Sequence, residues 1–263
     1  MPRSYARAIR RHPWVSGALI AIAIAVLACE RSPAKALVYL ATMLLCALAV
    51  DRVSPPPLAI VVRRPRYEAI VAIGFVTLGI AAVALRDALP RPWIGIAILL
   101  LTFPIALVLV LLAWRYSPRE LGMRARGLLA APIAIALTAA AAFAVDPDGV
   151  TLSRALEESG GWLQLLFTAL VAAALSEEVT RFVLQTRVAA ALRNPAAGWL
   201  IASAIWALAH VPSFADGDLV DGAIGAVRIL PIGLLWGYLT LRTGSIVPAV
   251  LAHAANLWGL QNG

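Results

Sequence analysis

The sequence predicts an all-α fold, a polytopic membrane helical bundle of about eight to nine transmembrane helices. Three observations predict it. Of 263 residues, 62% are hydrophobic and only 14% charged. Mean hydropathy is +0.86, far outside the range of soluble globular chains. Apolar runs near the ~20 residues that cross a bilayer recur along the whole length, and basic and acidic segments alternate between them. One integral membrane domain is expected, with no soluble domain of useful size.

Nine runs qualify as candidate spans: 14–29, 34–50, 69–85, 92–114, 127–145, 162–192, 196–212, 224–241 and 246–260. The first follows Arg10-Arg11 and ends in VLAC at Cys29, which resembles a lipoprotein signal. Leu27 stands where a small residue is preferred, and the polytopic remainder favours a retained first span. The first two runs can form a tight hairpin, which is why eight spans competes with nine. Cys29 and Cys46 lie in apolar runs at no metal-binding spacing and read as buried thiols. SPPPLAIVVRRPR, from Ser54 to Arg66, is a proline-broken loop.

Charge placement orients these runs. With the N-terminus in the cytoplasm, the cytoplasmic segments hold Arg3, Arg7, Arg10, Arg11, Arg52, Arg63, Arg64, Arg66, Arg115, Arg119, Arg124, Arg126, Arg187, Arg193 and Arg242. Their acids are Asp51, Glu68 and Glu120. The other side is acid-rich and includes Asp146, Asp148, Glu157, Glu158, Asp216, Asp218 and Asp221. This is the bias of the positive-inside rule. The net charge of +8 therefore reports topology. It forms no basic stripe interleaved with aromatics, so a nucleic-acid partner is not expected. No internal repeat is present, which disfavours an inverted-repeat transporter.

Few strongly polar groups are left at membrane depth. Glu177, Glu178 and Arg181 interrupt the sixth run, His210 ends the seventh, and His253 and Asn256 lie on the ninth. An ionised group at the bilayer centre costs roughly 2.5–3.5 kcal/mol on insertion scales, so such groups persist where they face a polar interior. Helical spacing puts Glu177 and Arg181 on one face, with Glu178 three residues from Arg181. Trp206 and His210 share a face, as do His253 and Asn256. At 1.5 Å per residue, Glu177, His210 and His253 lie about 24, 22 and 16 Å from the basic end of their helices, within about 8 Å of one level.

Bland readings exist for each part. An acidic pair beside an arginine can be an ion-pair lock, an intramembrane histidine can be a packing residue, and an asparagine can be helix–helix glue. Ser176 and Thr180 are expected to bond back to their own helix. The coincidence of carboxylate pair, histidine and His/Asn at compatible depth, on three C-terminal runs, favours a site. Two adjacent carboxylates in low dielectric do not both ionise easily, and Arg181 favours the charged form of one. The doublet thus supplies a general base for water. One imidazole can share that water, and a second imidazole with an amide can donate to a developing oxyanion. Such a set suits hydrolysis of an amide without a serine or cysteine nucleophile. Glu, His and His can also ligate zinc, although the HExxH spacing is absent.

These residues resemble the motifs of the CPBP family, the CAAX-protease and bacteriocin-processing group of glutamic-type intramembrane endopeptidases. EExxxR, F/WxxxH and HxxxN on successive helices are read here as EEVTR (177–181), WALAH (206–210) and HAAN (253–256), and SPRELGMRARG (117–127) resembles the short basic stretch before the family's core. The middle motif fits with Trp206. The first has Phe182 where the family arginine stands, and the last has Leu257 where its asparagine stands.

The resemblance implies that Glu177 and His210 activate water, that His253 and Asn256 stabilise the oxyanion, and that Glu178, Arg181 and Trp206 orient the site. It covers residues 117–263 as a protease core, with residues 1–116 as N-terminal transmembrane helices outside it. The implied function is cleavage of a membrane-anchored protein or peptide, with no cofactor, in a bacterial inner membrane with a cytoplasmic N-terminus. By the resemblance, the substrate is a prenylated CAAX tail, a bacteriocin precursor or a C-terminal sorting signal as in the myxosortases; the arginine-rich, lysine-poor composition disfavours the prenylated one, and the outer-half depth of the cluster favours an exported or membrane-anchored substrate and so the sorting type. A non-enzymatic immunity or scaffold protein, a zinc-dependent hydrolase and a proton-coupled carrier are the competing classes.

Overall fold

Ser32 caps the helix that follows it by accepting from the Lys35 amide, with Pro33 preset at the first turn; this is the start signal that serine and proline supply together. Asn194 does the same for the amides of Ala196 and Ala197, ahead of Pro195. Asp218 accepts from the Val220 amide. Gly244, at φ 66°, closes its helix in the left-handed region, which glycine adopts without strain. The structure, a computed structural model, describes residues 12–56, 58, 60–84, 92–145, 161–163, 167–215 and 217–257.

The helices are α1 (Trp14–Cys29), α2 (Pro33–Val53), α3 (Pro65–Ala84), α4 (Pro92–Ala113), α5 (Ala130–Val145), α6 (Ser176–Ala191), α7 (Pro195–Ala209), the short α8 (Val211–Phe214), α9 (Leu219–Thr243) and α10 (Val247–Ala255). A π-helical segment, Phe167–Leu175, runs directly into α6. The described residues contain no strand, so the all-α expectation holds. Each of the nine apolar runs overlaps helix. Those long and apolar enough to cross a membrane are Pro33–Val53, Pro65–Ala82, Pro195–Phe214 and Leu219–Thr243; Trp14–Cys29, Thr102–Ala113 and Ala130–Val145 are apolar but shorter. Arg3, Arg7, Arg10, Arg11, Asp146, Asp148, Glu157, Glu158 and Asp216 lie outside the described residues.

Helix α6 is the centre of the packing. It lies against α3 and α7, while α9 crosses α7, α2 and α10, and α10 packs on the π-helical segment and on α5. Phe182, Leu184, Leu107, Leu111 and Ile246 are buried in one core cluster. Ile20, Ile24, Ile70, Leu78, Leu109 and Phe143 are exposed, an apolar periphery suited to lipid. Close contact of α6 and α7 depends on Gly198, where a Cβ would stand 2.5 Å from the Ala189 Cβ and from the Gln185 carbonyl. Small residues of this kind let membrane helices approach. The 117–127 segment is tied under the same core. Gly122 accepts from the Ile246 amide at 3.0 Å, and a Cβ there would meet the Phe182 ring at 3.0 Å.

Two arginines counted with the cytoplasmic segments as topology signals, Arg187 and Arg242, are buried. Arg187 is fully enclosed and pairs through Nε with Glu68 of α3 at 3.3 Å. The Tyr116 hydroxyl donates to the same carboxylate, 2.7 Å from Oε1, and burial pushes this phenol above its ordinary value, so it remains a donor. Arg242 of α9 pairs with buried Asp51 of α2. The reason is partnership: a charge counted as a loop residue enters the protein interior when an acid on another helix meets it.

Candidate active site

Helix α6 begins at Ser176, so the acidic doublet occupies its first turn, immediately after the π-helical segment. Such wide turns occur often at functional sites. Thr180 bonds back to the Ser176 carbonyl at 2.9 Å, as expected. The doublet then divides. Glu178 is fully buried, pairs through Oε2 with Arg181, and lies 3.0 Å through Oε1 from His253 Nδ1. Glu177 turns to the other side, toward a cavity.

That cavity, of about 320 Å³, is lined by Glu177, Arg181, Trp206 and His210, and on its far wall by Phe75 of α3 and Phe103 of α4. Trp206 Nε1 donates to Glu177 Oε2 at 2.6 Å. The same oxygen lies 3.7 Å from His210 Nε2 and 3.8 Å from His253 Nε2. Three helices therefore deliver the two imidazoles and a carboxylate oxygen to one point. Both separations exceed a direct hydrogen bond and are too short to hold a water on the line between the atoms; a water about 2.8 Å from carboxylate and imidazole alike would stand to one side of that line.

The partners of the imidazoles assign their protons. His210 Nδ1 lies 2.9 Å from the Trp206 carbonyl, which only accepts, so Nδ1 carries the hydrogen. His253 Nδ1 faces Glu178, whose pairing with Arg181 keeps it an acceptor. By this assignment both rings carry a hydrogen on Nδ1 and turn Nε2 to the Glu177 side.

Arg181 is held through both terminal nitrogens, while its Nε has no hydrogen-bond partner among the described residues. Nη1 donates to the Gly233 carbonyl at 2.5 Å, and its guanidinium lies over the Trp206 and Trp236 rings at 5.5 and 5.6 Å. Trp236 stacks on His253 with centroids 3.8 Å apart and planes at 16°. The EExxR spacing sets this arrangement: Arg181 stands one turn from Glu178 and answers that carboxylate, while Phe182 fills the core.

Asn256 is the exception. It lines a different cavity, of about 450 Å³, together with Glu30, Lys35, Thr138 and Arg228. At 100° per residue, a step of three from His253 turns the side chain about 100° away from where a step of four would put it. The oxyanion partnership expected of His253 and Asn256 is thus not assembled. Among the described residues no group of three His, Cys, Asp or Glu stands as a metal cage.

Sequence reasoning missed Trp236 and Gly233. The signal for both was GLLWG, 233–237, a small-xxx-small pattern in an apolar run. A Cβ on Gly233 would lie 2.5 Å from Trp206 Cε3, and one on Gly237 2.9 Å from Ser203 Oγ. The two glycines let α9 approach α7 closely enough for its backbone to receive Arg181.

Residues 158–258 match the model of the family described as type II CAAX prenyl endopeptidase Rce1-like. The uncharacterized protein YyaK of Bacillus subtilis (strain 168) is 30% identical over 118 residues, which are 43% of this chain and 38% of that protein. The chain therefore spans under two-fifths of the length of that curated relative. No solved structure matches the chain. The matched residues, 158–258, contain all three motifs, and over this segment the family model supports the resemblance to the CPBP family.

Proposed function

We propose that the chain is an intramembrane endopeptidase that hydrolyses a peptide bond of a membrane-associated protein with water activated by Glu177 and His210. The observation that carries this is the position of Glu177 Oε2, held by Trp206 and set 3.7 and 3.8 Å from the Nε2 atoms of His210 and His253. In this reading water sits to one side of the line between Glu177 and His210. Its oxygen attacks the carbonyl carbon while Glu177 takes the proton, as a positioned general base does. The carbonyl electron pair moves to oxygen. Protonated His253, its Nδ1–H held by Glu178, donates to that oxyanion. Collapse re-forms the C=O bond, breaks the C–N bond, and returns the proton from Glu177 to the leaving amine. Two carboxylates are then matched by Arg181 and an imidazolium, which keeps the buried charges paired. Asn256, on another cavity, is given no step.

The finer parts of the proposal rest on sequence. Eight to nine spans, a bacterial inner membrane and a cytoplasmic N-terminus follow from the apolar runs and the arginine bias. Processing of C-terminal sorting signals of exported proteins rests on the resemblance to the myxosortases, with the depth of the cluster favouring an exported substrate and the composition disfavouring a prenylated one. The test is comparative proteomics of strains carrying Glu177→Ala or His210→Ala. An uncut membrane protein should accumulate while both variants reach wild-type abundance. Normal processing in both strains, or loss of the variant proteins with no uncut substrate, refutes the protease and leaves a non-enzymatic helix lock.

A further inference from the structure

The cavity in front of Glu177 is polar mainly where α6 and α7 line it. Its other wall comes from helices outside the matched segment, 158–258. Phe75, Val76, Gly79 and Ile80 recur at helical spacing on one face of α3, and Phe103 bounds the same space from α4. The polar groups nearest this wall are already bonded. The Thr180 hydroxyl donates to the Ser176 carbonyl, and both terminal nitrogens of Arg181 are held by Glu178 and the Gly233 carbonyl. A polar side chain entering here would lose its water and find few partners in return. The volume of about 320 Å³ is far more than one attacking water needs. Gly79 sets part of that volume. A Cβ there would stand 3.9 Å from two carbons of the Phe103 ring, so a methyl group fits. A longer side chain must extend into the cavity or displace the ring.

We infer that this apolar wall forms a specificity pocket, which receives a large apolar side chain from a substrate residue flanking the scissile bond, and that Gly79, Phe75 and Phe103 set its size; the assignment rests on the endopeptidase reading. The occupant follows from continuity, because the cavity that these three residues line also reaches Glu177 and His210. A side chain seated against the two phenyl rings fixes the adjoining carbonyl near the water, and such positioning supplies rate as well as selectivity. One methylene more or less in an apolar pocket changes kcat/KM by about 10–200-fold. The determinants of substrate choice then stand on α3 and α4, while the reacting groups stand on α6, α7 and α10.

The experiment uses the full chain in detergent micelles and a pooled library of synthetic membrane-spanning peptides, with cut sites located by mass spectrometry and Glu177→Ala as the blank. The best-cut peptide is then remade with Ala, Leu, Phe, Trp or Asn at each residue flanking the cut. One of the two positions should require a large apolar residue, with kcat/KM at least about tenfold lower for Ala than for Phe. Gly79→Leu should shift the Phe-to-Ala ratio of kcat/KM toward Ala by about tenfold or more. Phe103→Ala, which enlarges the pocket, should shift the Trp-to-Phe ratio toward Trp by a similar factor. Gly79→Ala should leave both ratios near wild type. Each ratio is taken on one enzyme sample, so the fraction that folds cancels. Equal cleavage across the series at both positions, or ratios that neither Gly79→Leu nor Phe103→Ala moves, overturns the pocket and leaves the protease standing. No cleavage beyond the Glu177→Ala blank overturns the protease and the pocket with it.

Discussion

Glu177 and Glu178 are neighbours in sequence with opposite duties, and exchanging each for its amide should separate them. In Glu178→Gln the Arg181 guanidinium, 1% exposed in its side chain, loses its ionic partner. Removing one member of a buried pair costs about 3–5 kcal/mol. The His253 Nδ1–H loses a charged acceptor in the same change, and because the two effects share one carboxylate they are not summed. In Glu177→Gln the side chain is 18% exposed, and the amide oxygen still accepts from Trp206. Its cost should stay within about 1 kcal/mol, as for substitutions that leave no buried group unpaired. The two variants should therefore differ by about 3 kcal/mol in unfolding free energy, measured by denaturant titration in detergent with tryptophan fluorescence. Both should lose cleavage. Adding Arg181→Met to Glu178→Gln should recover part of the stability and none of the activity, because no buried cation is then left alone. Equal destabilisation by the two single changes, or a Glu178→Gln variant as stable as wild type, would refute this division of the doublet.

Trp206→Phe keeps a ring against His210 and Trp236 and removes the indole N–H that holds Glu177. A hydrogen bond to a charged group contributes about 1.5–3 kcal/mol, so kcat should fall by about ten- to a hundredfold with little change in KM. Asn256→Ala should leave cleavage within about threefold of wild type, a margin of under ~1 kcal/mol, because Asn256 lines the cavity with Glu30 and Arg228. A loss of cleavage as large as that of Glu177→Gln would return Asn256 to the oxyanion role.

The helical class and the apolar runs were legible because hydropathy and span length are local properties. So was the meeting of Glu177, His210 and His253: rise per residue, counted from the arginine-bearing ends, puts three groups at one depth. Which carboxylate would face which imidazole was not legible. Glu177 and Glu178 differ by about 100° around the helix axis, and only the positions of α9 and α10 decide which one is enclosed. The place of Asn256, on another cavity, was not legible for a related reason. Sharing a helix with His253 was taken as sharing a site, although a step of three residues sends the two side chains to different neighbours. Arg187 and Arg242 were read from the charge count of their segments. Their acids, Glu68 and Asp51, stand 119 and 191 residues away in sequence, and no local pattern pairs them.

Those long-range pairs bear on how the site keeps its geometry. Glu178 and Arg187 are nine residues apart on α6, which puts them about 13 Å apart along the axis and on opposite faces. On one face Glu178 and Arg181 bind α6 to His253 of α10 and to the Gly233 carbonyl of α9. On the other, Arg187 binds it to Glu68 of α3, the helix whose Phe75 lines the cavity in front of Glu177. Helix α6 is thus bolted from both sides, once to α9 and to α10, which carries the second imidazole, and once to α3, which lines the cavity. Electrostatic preorganisation requires donors and bases that do not relax when charge develops, and in an apolar bundle buried ion pairs add to side-chain packing and interhelical hydrogen bonds in resisting rotation of a helix about its own axis. The matched segment, residues 158–258, contains only one end of the second bolt. Its acid comes from the N-terminal helices, so the geometry around Glu177 is a property of both parts of the chain together.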